Sequence, residues 1–365
     1  MIFRCDLVPQ YEAYKTEILA AIERTLNSGR YIMASETEIF EKEFAKYIGT
    51  SKMISVGNAT DGLILSIKAL GIKPGDEIIT TPFTAIPTIS AIIASGATPV
   101  FADIENDTYL VDINKVAEKI TSKTKAIMPV HIFGNVVDIC KLQHIAPEIP
   151  IIEDAAQAHG STISGKKAGS MGVLGVFSFY PTKNLGAYGD GGCIATNDLS
   201  LDKKLRLLKM YGMEDKDHIV INGVNSRLDE IQAAILSVKL KYLDEMNLKR
   251  VHIVERYRNE LNPKRFICQK IPDGVVSNYH VLCVRFNGDR GRFMQYMSDN
   301  GIQTNVYYEI PLHLQEATRY LNYKQGDFPI AEGLCSEVVA LPLYPELPNN
   351  ILDQIIDTIN NYQGK

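Results

Sequence analysis

The sequence predicts an α/β protein: a mostly parallel sheet covered by helices on both faces, with a smaller α+β region after it. Between about Lys52 and Ile194, short apolar runs alternate with longer stretches whose apolar residues recur at helical spacing. Several of the short runs are apolar throughout instead of alternating, as expected of strands buried on both sides. At 365 residues the chain is long enough for two domains whose cores need no covalent staple.

In chain order, strands are expected at Lys52–Val56, Glu77–Thr80 and Thr98–Phe101, then over residues 126–131, 150–153 and 173–179. Between the first two, Leu63, Ile64, Ile67 and Leu70 mark a helix that stops at Gly71, before the turn Lys73-Pro74-Gly75-Asp76. One long helix is predicted over 226–246, with Leu228, Ile231, Ile235, Val238 and Leu243 on its apolar stripe. The pattern then changes to a strand over 278–286 and helices over 290–300 and 352–362. This divides the chain into a large domain, residues 1–246, and a small one, residues 247–365. No repeat or low-complexity linker interrupts it.

The 38 basic and 43 acidic residues leave a net charge of -5 and no Lys/Arg run. Nucleic acid is therefore not the expected partner. The longest uncharged stretch, residues 78–102, is broken by Pro82, Pro87 and Pro99 and diluted by Ser and Thr, so no membrane span is expected. The start, Met-Ile-Phe-Arg-Cys-Asp, has no signal-peptide apolar block. Cys5, Cys140, Cys193, Cys268, Cys283 and Cys335 form no C-x-x-C pair and have no His at zinc spacing. Free thiols, no metal and a cytoplasmic location are the expectations.

In an open α/β sheet, ligands bind beyond the carboxyl ends of the strands, and three segments put polar residues there. Asn58-Ala59-Thr60-Asp61-Gly62 opens a helix with small residues, whose free N–H groups suit a phosphate unless Asn58 or Thr60 merely caps the helix. Asp154 follows the apolar run Ile151-Ile152, where a carboxylate either caps the strand end or meets a cation. Lys183 stands in Ser178-Phe179-Tyr180-Pro181-Thr182-Lys183-Asn184-Leu185-Gly186, just after another apolar strand. A lysine held dry there is a nucleophile toward carbonyls, while one in solvent is not. The glycines at 189, 191 and 192 lack G-x-G-x-x-G spacing, which argues against a nicotinamide dinucleotide.

These segments, in this order and approximate spacing, resemble the DegT/StrS family of pyridoxal-phosphate-dependent nucleotide-sugar aminotransferases. Gly29-Arg30-Tyr31-Ile32 through Phe40-Glu41-Lys42-Glu43-Phe44, and Gly223-Val224-Asn225-Ser226-Arg227-Leu228-Asp229-Glu230, extend the resemblance over nearly the whole chain. It implies the type I, aspartate-aminotransferase-like fold, with a large mostly parallel-sheet domain and a smaller α+β C-terminal domain. By the same resemblance Lys183 is the lysine that carries pyridoxal 5'-phosphate and later shuttles protons. Asp154 keeps the pyridine nitrogen protonated, so that the ring acts as an electron sink. Gln157 stands near the phenolate oxygen, and Ser178 with the amides of Ala59 and Thr60 holds the phosphate. Asn225 matches a side chain lent across a dimer interface to the same phosphate, which implies a homodimer with shared sites. The aromatic residue that many members stack on the ring falls at Ala85 here. Either Phe83 covers the ring or only one face is packed.

The family includes 3-amino and 4-amino transferases and a dehydratase branch with histidine in place of the lysine. Lys183 disfavours the last. The string from Ser178 to Asp190 is similar to the subgroup acting on 3-keto sugars, which implies a dTDP-linked 3-keto-6-deoxyhexose as substrate and L-glutamate as amino donor. UDP-linked 3-keto or 4-keto sugars are the alternatives. His159, Tyr180, Tyr307, Tyr308 and His313 are substrate-side candidates, although His159 equally suits a packed core and the tyrosines an interface. A non-catalytic coenzyme-binding regulator is the reading from another class. Against it stands the full set of Lys183, Asp154 and Ser178.

Overall fold

The computed structural model describes residues 1–364. Its helices are α1 (Val8–Ser28), α2 (Ser35–Ile48), α3 (Ala59–Ala69), α4 (Ile86–Ala94), α5 (Ile113–Lys119) and α6 (Ile139–Ile145). Then come α7 (Leu199–Leu208), α8 (Glu230–Leu240), α9 (Leu243–Glu260), α10 (Arg290–Asp299), α11 (Pro329–Glu337) and α12 (Asn349–Asn360). The strands are β1 (Lys52–Val56), β2 (Glu77–Thr80), β3 (Thr98–Phe101), β4 (Thr124–Ile127), β5 (Ile152–Asp154), β6 (Thr162–Ile163) and β7 (Lys166–Lys167). They continue with β8 (Leu174–Ser178), β9 (Gly192–Thr196), β10 (Phe266–Cys268), β11 (Val275–Val276), β12 (Leu282–Phe286) and β13 (Val338–Leu341).

Two sheets, ordered β1-β9-β8-β5 and β4-β2-β3, join through the parallel bridges Ile127↔Ile151 and Val130↔Asp154. The result is one mixed sheet. β5 runs parallel to β8, and β2 to both β3 and β4, while β9 is antiparallel to both β1 and β8. Side chains alternate faces along each strand. Val176 and Ile194 join α3, α4 and α7 in one core, whereas Phe177, Cys193 and Ala195 join α2 and α8 in another. Gly62 lets α3 lie against β8, because a Cβ there would stand 2.8 Å from Val176 Cγ1. A separate sheet, β10-β12-β13, packs its core with α9, α10 and α12. Cys283 and Ala340 from that sheet also enter the cluster of Phe83, Phe101 and Phe133.

The structure departs from several of the sequence expectations, and the strand expected over 278–286 begins only at Leu282. The strand expected over 126–131 ends at Ile127. Pro129 has no N–H to continue a ladder, although its carbonyl still accepts from the Asp154 amide at 2.9 Å. β9 lies outside the six expected strands. The helix expected over 226–246 is two helices preceded by an extended segment. Glu230 is buried and its carboxylate accepts from the amides of Ala34, Glu36 and Thr37, so it caps α2 from the start of α8. Residues 225–229 must therefore run extended, with bridges Met210↔Asn225 and Ile32↔Asp229. The second break falls at Tyr242, which stacks on Tyr14 at 4.3 Å and bonds Glu17.

All six cysteines are free, and no group of three or more His, Cys, Asp or Glu among the described residues could hold a metal. No helix there is long and apolar enough to cross a membrane.

Candidate active site

The carboxyl ends of β5 and β8 and the start of α3 converge on a cavity of about 270 Å³. Its lining includes Ala59, Thr60, Asp154, Gln157, Ser178, Tyr180 and Lys183. Seven of the residues singled out from sequence thus meet in one place. A larger cavity of about 410 Å³ lies elsewhere, between Thr108, Lys141 and Lys270, and contains none of them.

At the α3 end, Asn58 Oδ1 accepts from the Asp61 amide at 2.9 Å. That cap leaves the amides of Ala59 and Thr60 with no acceptor among the described residues, beside Ser178. Gly192 is needed here for close approach, because a Cβ would stand 2.6 Å from the Asn58 carbonyl carbon and 2.7 Å from the Ala59 nitrogen. The arrangement suits a phosphate monoester.

At the other end lies Asp154, 5% exposed. Its Oδ2 accepts from Thr88 Oγ1 at 2.8 Å and its Oδ1 from the Ala156 amide at 3.2 Å. Burial drives its pKa up, and these two hydrogen bonds and the Lys183 charge pull it back. No cation is paired with it, so a protonated ring nitrogen fits as the missing partner. Gln157 Oε1 accepts from the Phe133 amide at 2.7 Å, while its Nε2 donates to the Tyr308 hydroxyl at 3.1 Å. A phosphate cradle, a buried carboxylate and a lysine in one slot fit pyridoxal phosphate.

The Lys183 amine is pushed down to about 8, chiefly by burial, with Asp154 opposing and Arg4 adding to the shift. Its Nζ lies 3.4 Å from His280 Nε2. His280 Nδ1 lies 3.1 Å from Asn184 Oδ1, and the Asn184 amide nitrogen donates to Asn247 Oδ1 and to the Asn278 carbonyl. Asn184 Oδ1 can only accept, so His280 carries its proton on Nδ1 and presents a bare Nε2 to the lysine. Burial and the nearby cations keep His280 neutral.

Other candidates fall elsewhere. His159 is fully buried among Phe44, Phe177 and Phe179, neither ring nitrogen has a partner, and burial pushes its pKa down to about 3. The packed-core reading holds for it. His313 is buried between Phe101 and Phe328 and bonds Glu332 at 3.0 Å, away from the cavity lining. Tyr308 reaches the site through Gln157, and Tyr307 packs beside it. Asn225 is exposed and absent from its own chain's cavity, and it does not start a helix. Phe83 is buried edge-on against Tyr109, Phe133 and Tyr308. It does not cover the cavity, which Ala85, Pro87 and Ala156 line instead.

Thr88 and His280 escaped the sequence reading. Thr88 carried a faint signal as a polar residue inside an apolar helix, whereas His280 carried none.

An open α/β sheet whose strand ends hold a lysine, a buried carboxylate and a phosphate cradle defines the coenzyme-binding site of a transferase. The chain belongs to the DegT/DnrJ/EryC1/StrS aminotransferase family, whose model matches residues 12–360. The dTDP-3-amino-3,6-dideoxy-alpha-D-galactopyranose transaminase of Aneurinibacillus thermoaerophilus is 43% identical over 351 residues, 96% of each chain. A pleiotropic regulatory protein of Geobacillus stearothermophilus is 39% identical over 362 residues, 98% of this chain and 97% of its own. The crystal structure of S. venezuelae DesV in complex with a ketimine intermediate aligns with a TM-score of 0.95 at 36% identity, covering 99% and 97% of the two chains. The crystal structure of NtdA from Bacillus subtilis with bound cofactor PMP aligns at 0.88 with 32% identity, over 95% of this chain and 81% of that one.

Proposed function

We propose that the protein transfers the amino group of L-glutamate to a nucleotide-linked keto sugar, with pyridoxal 5'-phosphate as coenzyme. The preferred substrate is a dTDP-3-keto-6-deoxyhexose and the product a dTDP-3-amino-3,6-dideoxyhexose. The convergence of Lys183 and Asp154 on one cavity carries the reading, and the relatives' names support the sugar class. Bound there, the coenzyme supplies an electron sink for the carbon that bears the migrating nitrogen.

The chain's own residues do the rest. Ala59 N–H, Thr60 N–H and Ser178 Oγ hold the phosphate. Asp154, fixed by Thr88 and the Ala156 amide, keeps a proton on the ring nitrogen. Gln157 orients the ring from the Tyr308 side. Burial biases the Lys183 amine toward its neutral form, so it would take the proton from the donor's α-carbon in the first half-reaction and hand one to sugar carbon 3 in the second. Tyr180, 54% exposed at the mouth, faces the sugar, while Tyr308 acts behind Gln157 with Tyr307 packed against it. We assign Asn225 to the phosphate of a partner's site in a cytoplasmic homodimer.

The regulatory name of the Geobacillus relative favours one second reading, a coenzyme-bound regulator without turnover. Adding L-glutamate to the holoenzyme separates the two. The transaminase converts the aldehyde form of the coenzyme to its amine form and releases 2-oxoglutarate, while a regulator leaves the visible absorbance unchanged. Competing dTDP- and UDP-linked 3-keto and 4-keto sugars in the second half-reaction then ranks the substrates.

A further inference from the structure

Ile2 pairs with Ile302, and its amide donates to the Gly301 carbonyl at 2.7 Å. The Arg4 amide donates to Gln303 Oε1 at 3.0 Å, and its carbonyl accepts from the Leu343 amide at 2.9 Å. The Arg4 backbone is thereby fixed, and the residue is 9% exposed. The guanidinium carbon lies 5.3 Å from the centre of the Tyr307 ring. Tyr308, the next residue, bonds Gln157 in the cavity, and the Arg4 charge acts on both Lys183 and His280. Among the described residues nothing accepts a hydrogen bond from this guanidinium.

A second cation stands behind it. Arg250 Nη1 donates to the carbonyls of Leu343 at 3.3 Å and His280 at 3.4 Å, and its Nε has no partner. Glu346, the carboxylate whose charge acts on Arg250, forms an ion pair with neither arginine. Arg250 is thus held buried with only neutral carbonyls as acceptors, and Arg4, beside Tyr307, has no acceptor among the described residues. That is costly unless an anion arrives. A guanidinium offers a planar fork that a carboxylate matches with two parallel hydrogen bonds.

We propose that Arg4 anchors a carboxylate of the amino-acid donor, a dicarboxylate of glutamate size, with Arg250 reinforcing the positive field from behind. This rests on the reading of the chain as a transaminase with an amino-acid donor. A nucleotide diphosphate is the other anion that the reaction brings. Arg4 packs against Tyr307, whose neighbour Tyr308 bonds Gln157, whereas the exposed mouth is marked by Tyr180, which favours the compact carboxylate.

The test titrates holoenzyme with glutarate, a dicarboxylate that cannot react, and separately with dTDP, by calorimetry. Arg4→Gln is expected to weaken glutarate binding by about tenfold or more, the loss of one charge-assisted pair, and to leave dTDP binding unchanged. Arg4→Lys keeps the charge without the fork and falls between. The L-glutamate concentration that half-converts the coenzyme rises in step. Unaltered glutarate affinity in Arg4→Gln overturns the proposal, as does a matching loss of dTDP affinity, which assigns Arg4 to the diphosphate. A variant whose only change is its oligomeric state assigns it to a partner chain and equally overturns it. Should Arg4→Gln fail to fold, Arg4→Lys decides, with undiminished glutarate affinity counting against the anchor. If L-glutamate never converts the wild-type holoenzyme, the transaminase reading itself fails. If the wild type converts and Arg4→Gln matches it, only the role of Arg4 fails.

Discussion

Burial of the Lys183 amine sets reactivity against stability. In the coenzyme-free protein its pKa falls from 10.5 to about 8, so the folded chain binds fewer protons than the unfolded chain between those values. Stability therefore rises with pH across that window, and the penalty is fully present below about pH 8. Lys183→Met should stabilise the apoprotein by roughly 1–3 kcal/mol at pH 7, a gain that fades toward pH 10. Denaturant melts of the two proteins across that range check it. Lys183→Ala and Lys183→Arg should abolish turnover with the fold intact, and more than a small residual rate would sink the assignment. Asp154→Asn should keep the coenzyme but lose several kcal/mol of transition-state stabilisation, of order 10²–10³ in rate or more. His280 acts through Lys183. His280→Ala is expected to lower kcat about tenfold with KM and coenzyme content little changed, and to shift the pH-rate profile, because the lysine loses its acceptor. A variant that lowers activity only by lowering melting temperature would make His280 merely structural.

At the scale of elements, the extended segment before α8 decides more than the helices do. Glu230 ties α2 to α8, so Glu230→Ala leaves the amides of Ala34, Glu36 and Thr37 unsatisfied and should cost about 2–3 kcal/mol, read as a lowered denaturation midpoint. A loss below about 0.5 kcal/mol would mean that water replaces the carboxylate. The same segment shows where sequence reading works. β1, β2 and β3 match their expected residues because each apolar run is bounded by turn residues. Leu228 continues the apolar spacing of α8 and is 1% exposed, yet it is not helical, because burial and not helix geometry put it on the stripe. β9 reads Gly-Cys-Ile-Ala-Thr, too small and mixed to announce a strand, and only pairing with β1 and β8 makes it one. Lys183, Asp154 and Ser178 were legible because each sits at or just beyond an apolar strand. Thr88 and His280 reach the site across 66 and 97 residues of chain, which no local pattern encodes.

For the whole molecule, the exposed Asn225 poses the question of assembly. If it serves the partner's phosphate, mixing Lys183→Ala with Asn225→Ala chains creates dimers in which one pocket collects both defects and the other has none. Activity with normal coenzyme affinity should then return. If Asn225 serves its own pocket or none, mixing restores nothing beyond the Asn225→Ala parent. The central claim, that the cavity around Lys183 and Asp154 moves nitrogen from an amino acid to a sugar ketone, is tested most directly by following the nitrogen. Holoenzyme is given isotope-labelled L-glutamate and a dTDP-3-keto-6-deoxyhexose, and the sugar nucleotide is read by mass spectrometry and NMR. The account predicts one labelled nitrogen on carbon 3, absent with Lys183→Ala. An unlabelled sugar, or label that appears equally with Lys183→Ala, would contradict it.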